Sequence, residues 1–143
     1  MNAIGKGLLA GLAGTAAMTI SSTVEEKLRG REPSSAPADA AAKVLGIEEF
    51  PSDRAKSAFS NAVHWCYGTG WGAVRGLLGG LGLPPVAATA AHFAAVWGSE
   101  QVMLPALGVS PPLTEWGAEE IAIDAFHHVV YASTTGAAFE ALS

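Results

Sequence analysis

The chain has 143 residues, half of them hydrophobic and only 15% charged, with a mean hydropathy of +0.31. That length fits one domain. A net charge of −5 with 8 Lys and Arg leaves no basic surface for displacing counterions, which excludes nucleic acid as a partner, and the lone Cys66 excludes a disulfide framework and every multi-cysteine zinc pattern. With 28 Ala, 17 Gly and few β-branched runs, the composition points to an all-α protein built from small residues.

Charges divide the chain into segments. Gly7–Val24 is an uncharged run of 18 residues inside a first helix predicted at 4–26. Lys6, the apolar stretch and the small residues after it have the look of a signal peptide, but the segment is read as a retained first helix. The stretch 27–52 differs in composition. The region from Glu25 to Lys56 holds six of the eight basic residues (Lys27, Arg29, Arg31, Lys43, Arg54 and Lys56), with Pro33, Pro37 and Pro51. It reads as an extramembrane loop with a short helix near Ala38–Leu45.

A second long helix is expected at 53–82, where Ser57–Val74 again carries no charge over 18 residues. A third follows at 86–105, within the 24 uncharged residues Gly76–Ser99 that Pro84-Pro85 interrupts. Pro105 and Pro111-Pro112 mark the next connection, and a fourth helix is expected at 114–141. A soluble surface helix shows charge on its outer face every turn or so. Ser57–Val74 shows none, so the expected fold is a four-helix transmembrane bundle rather than a soluble Ala-rich bundle. The basic loop, 27–56, then belongs in the cytoplasm and both termini on the opposite side, as a multi-pass protein of the bacterial inner membrane. The expected partners are the lipid bilayer and either further copies of this chain or other membrane subunits.

Glycines recur every four residues at Gly68, Gly72, Gly76 and Gly80, and at Gly7 and Gly11 with Gly14 a turn on. Such stripes let helix backbones approach closely inside lipid. Close packing is the expected use; a flat bed for a cofactor ring is the alternative.

Ionisable residues inside apolar helices are costly and mark candidate sites. His64 extends the glycine stripe of the second helix. His92 and Glu100 lie on one face of the third, and Glu120, Asp124 and His128 recur at i, i+4 and i+8 on the fourth. Counting residues from the turns puts His64, Glu100, Glu120 and Asp124 at similar depth, with His92 and His128 deeper. His64, Glu100, Glu120, Asp124 and His128 are therefore the candidate set for a divalent metal or for proton relay. Imidazole with carboxylate suits zinc, iron or manganese. Asp124-x-x-His127 echoes one ligand pair of di-iron bundles. A b-type haem held by two of His64, His92 and His128 is a further alternative. The plainer readings are that Glu115, Glu119 and Glu120 favour a helix N-terminus capped by Thr114, that Arg75 snorkels to an interface, and that the four tryptophans anchor or pack. A non-catalytic accessory subunit, motivated by the glycine stripes, is the rival function.

Residues 108–131 carry Gly108, Pro111, Pro112 and Leu113, then Glu120 and Asp124 four apart, then Phe126, His128 and Tyr131. This pattern resembles the YagU-like family of uncharacterised bacterial inner-membrane proteins, and His64 with Tyr67 looks like the His-x-x-aromatic of that family's preceding helix. Glu100 stands where the family pattern can show histidine, and this chain lacks the family's long insertions. The resemblance implies a multi-pass membrane protein, favours His128 over His127 as the inward histidine, and implies no reaction.

Overall fold

The structure, a computed structural model, describes residues 1–143 and is all helical. Five α-helices follow one another: α1 (Ala3–Arg29), α2 (Ala36–Leu45), α3 (Asp53–Gly80), α4 (Pro85–Ala106) and α5 (Ala118–Ala141). α1, α3, α4 and α5 form the bundle, and α2 lies in the loop between α1 and α3.

Each boundary has a local cause. Asn2 accepts the Gly5 N–H at 2.8 Å and starts α1; Ser52 accepts the Ala55 N–H at 3.1 Å and starts α3. Gly30 and Gly46, at φ 64° and 69°, end α1 and α2 in the left-handed conformation that glycine adopts without strain. Pro85 opens α4, where a missing N–H costs nothing. The fourth long helix begins at Ala118 rather than 114. Leu113–Glu115 form a 3-10 turn, and extended backbone at Trp116 and Gly117 breaks the path. Thr114 is thus not its cap. Glu120 instead folds back to accept the Gly117 N–H at 3.1 Å.

α1 packs most extensively on α3 and next on α5, and α4 closes the bundle against α5 and α3. The glycine stripes account for the α1–α3 seam. A side chain on Gly11 would come within 2.7 Å of the Gly72 Cα, and one on Gly76 within 3.1 Å of the Ile4 Cα. Gly68 receives Thr15, and Gly14 receives Thr135 and the Tyr131 ring. Packing, not a cofactor bed, uses these glycines; Gly80 alone has only an ordinary contact, 3.5 Å from the Ala3 Cβ.

The burial pattern is inverted relative to a water-soluble bundle. Arg75, His92 and Thr135 are 0% exposed, and Thr15, His127 and His128 are buried with them. The buried apolar side chains are mostly alanines. Large apolar residues face outward instead: Ile20 is 67% exposed, Val102 72% and Val86 83%. The accessible surface is 8086 Å², against about 6,900 Å² for a soluble monomer of this mass. All four bundle helices are 22 residues or longer, but only α1 is both long and apolar enough to cross a membrane by length and composition.

Candidate functional site

The inward face of α5 repeats Asp124, His128, Tyr131 and Thr135, at helical spacings of four and three. His128 sits where α4 and α5 meet. Its Nδ1 lies 2.8 Å from the Asp124 backbone carbonyl one turn earlier, and its Nε2 lies 2.8 Å from Glu100 Oε2 on α4. A carbonyl only accepts, so Nδ1 carries hydrogen and donates. One further proton then lies between Nε2 and Glu100, on the imidazole or on the carboxyl. Without it, two acceptors would face each other at 2.8 Å. The Asp124 carboxylate stands 3.8 Å from His128 Nδ1 and accepts the Trp97 Nε1–H at 2.8 Å. Two side chains of α4, Trp97 and Glu100, thus clamp two of α5.

Exposure falls along this cluster. The Asp124 side chain is 32% exposed, Glu100 16% and His128 5%. Asp124 opens toward the end of the bundle that carries the basic loop.

Three of the five candidate residues therefore meet: Glu100, Asp124 and His128. Two do not. His64 pairs through Nε2 with the Thr19 hydroxyl at 2.7 Å, on the α1–α3 seam. Glu120 is exposed and caps α5. No three His, Cys, Asp or Glu side chains are placed so as to hold a metal ion, so the expected five-residue metal set does not assemble. The three histidines considered for haem each engage a separate partner through Nε2: His64 takes Thr19, His92 the Trp71 carbonyl at 3.0 Å, and His128 Glu100. None of them presents that nitrogen to a shared gap.

Several side chains take roles the sequence did not suggest. His127 is as buried as its neighbour. Its Nδ1 lies 2.8 Å from the Ser21 hydroxyl and its Nε2 3.7 Å from Glu25. Adjacent histidines thus address carboxylates on two different helices, which the resemblance favouring His128 alone did not imply. Glu25 also binds Arg29 and Arg31, and Arg29 reaches Glu119. Trp97 is a hydrogen-bond donor rather than an anchor. Arg75 does not snorkel; its side chain is wholly buried and donates to Glu140 at 2.6 Å. Only their positions, Arg75 five residues before the end of α3 and Glu140 one before the end of α5, hinted at that pair. The Tyr131 hydroxyl donates to the Gly68 carbonyl at 2.6 Å.

The chain matches no protein-family model, no curated protein and no solved structure.

Proposed function

We propose that this chain is a membrane-embedded helical bundle whose polar interior holds and relays a proton at the His128–Glu100 pair. Asp124 and Trp97 position that pair. The observation that carries the reading is the geometry of the imidazole. With Nδ1 committed as a donor to a carbonyl, Nε2 and Glu100 hold one proton between them at 2.8 Å. A buried pair of this kind takes up or gives back a single proton, and the partly open Asp124 offers the route in and out.

The membrane setting rests on the inverted burial. Every large side chain below 2% exposure is polar or charged, while α1, α4 and α5 turn Ile20, Val102, Val86 and Phe126 outward. Water would penalise that arrangement, and lipid favours it. On this reading α3, α4 and α5 cross beside α1, with the basic loop on the cytoplasmic side of a bacterial inner membrane. The resemblance of residues 108–131 to the YagU-like proteins agrees with it. The accessory-subunit reading loses its motivating feature, because the glycine stripes are occupied within the chain itself.

The test is ¹⁵N NMR of histidine-labelled protein in detergent micelles. The ¹⁵N resonances of His128 should report hydrogen on Nδ1 and a proton shared between Nε2 and Glu100, and Glu100→Gln should move the Nε2 resonance. An Nε2 resonance of His128 that is the same in wild type and Glu100→Gln refutes the reading. A stoichiometric metal bound by the purified protein would restore the metal alternative.

A further inference from the structure

Between the His128–Glu100 pair and the termini face of the bundle stands the buried side chain of Arg75. Inward of His128 the polar groups continue. The Tyr131 ring, tilted by 46°, lies with its centroid 5.5 Å from that of His92, whose Nε2–H is taken by the Trp71 carbonyl and whose Nδ1 has no partner. Thr135, one turn beyond Tyr131, also has a hydroxyl without a partner. Arg75 lies one turn beyond Trp71 on α3. These groups would lead a proton from the loop side toward the face where the termini lie.

Exposure along that line is asymmetric. It falls from 32% at Asp124 through 16% at Glu100 and 5% at His128 to 0% at His92, Thr135 and Arg75. Glu140, 44% exposed, is the first open group at the other end. Arg75 thus stands between the polar interior and the termini face. Its Nη2 binds Glu140, its guanidinium lies 4.5 Å from the centre of the Phe139 ring, and its Nε and Nη1 have no partner. Gly79 makes room for this stack: a side chain there would lie 2.5 Å from the Phe139 ring and 3.2 Å from Arg75 Nη1. Arginine keeps its charge under all ordinary conditions. A buried, permanently charged guanidinium with unsatisfied N–H groups raises the barrier to any cation that approaches it.

We propose that Arg75 is an electrostatic plug, which bars protons and other cations from the termini face so that the His128–Glu100 pair exchanges protons only with the loop face. The proposal rests on the relay reading above. The bare alternative is an ion pair that merely joins α3 to α5; it makes no demand on the charge of residue 75 once folding is preserved.

The experiment measures proton entry into vesicles of phosphatidylethanolamine and phosphatidylglycerol containing purified full-length protein, with a pH dye inside and a potassium diffusion potential as the driving force. Wild type and Arg75→Lys, which keeps the charge, should match empty vesicles. Arg75→Leu and Arg75→Gln, which lose it, should admit protons at least tenfold faster. Each variant is first checked for a wild-type elution volume in detergent. Tight vesicles for both intact neutral variants overturn the plug, as does a leaky wild type. A leaky Arg75→Lys also overturns it, since shape rather than charge would then close the path. The double variant Arg75→Leu/Glu100→Gln separates the two readings. Return to the empty-vesicle rate supports both. An undiminished leak leaves the plug standing and refutes relay through Glu100.

Discussion

The seam between α1 and α3 makes opposite predictions for two glycines on the same helix. An alanine methyl at Gly72 would lie 2.7 Å from the Gly11 Cα and 2.8 Å from the Gly11 N, and closer still to the Gly7 carbonyl oxygen. Ordinary contacts between such atoms are about 3.5–4.0 Å, so the backbones must separate by about 1 Å. All the atoms involved are backbone, and no flexible side chain can yield. Overpacking of this kind costs about 1–3 kcal/mol. At Gly70 a methyl would meet nothing within 4 Å. There, alanine replaces the poorer helix former and adds up to about 1 kcal/mol. The two variants should therefore differ by about 1–4 kcal/mol, or roughly fivefold to several hundred-fold in the unfolding equilibrium. The assay is unfolding in mixed micelles of rising sodium dodecyl sulfate fraction, followed by tryptophan fluorescence. Gly70→Ala should unfold later than wild type and Gly72→Ala earlier. If Gly72→Ala unfolds with or after wild type, or if the two variants coincide, the close α1–α3 approach is wrong.

Three further outcomes follow from named contacts. Tyr131→Phe removes the donor to the half-buried Gly68 carbonyl and should destabilise by about 1 kcal/mol in the same unfolding assay. Trp97→Phe keeps the ring stacked on Phe93 but frees Asp124, so it should move the His128 ¹⁵N resonances while leaving the elution volume unchanged. Lys43 donates to the Leu107 and Gly108 carbonyls at the end of α4. Lys43→Ala should release α2 and speed hydrogen exchange over residues 36–46 at least severalfold, without affecting α5.

The helical segments were legible because prolines, glycines and charges mark their ends. Glycine spacing also marked close backbone packing on both α1 and α3, but not that the two stripes meet each other. The candidate site was legible only in part. Glu100 and Asp124 could be matched by counting residues from the turns, since antiparallel helices of known ends share depths; that count set His128 deeper, and only its four-residue spacing from Asp124 placed it on the same face. Rotation about each helix axis is not in that count. His64 faces α1 and Thr19 rather than α4, and Glu120 sits close enough to its own helix start to be drawn into capping it. Rotation also hid Arg75, whose place inside the bundle depends on the slot at Gly79 and on Glu140 65 residues away. His127 and His128 diverge by about 100° around α5, so both can be buried, against different neighbours.

Three side-chain links fasten α4 to the bundle, one to α3 and two to α5. His92 reaches the Trp71 carbonyl, Trp97 reaches Asp124 and Glu100 reaches His128, while its packing against α3 and α5 is thinner than that of α1. Proline pairs bracket it at 84–85 and 111–112. His92 faces α3 while Trp97 and Glu100 face α5, so moving α4 out from between those two helices breaks all three links. Whatever draws this helix away strips both buried imidazoles of their Nε2 partners in one event, and whatever seats it restores both.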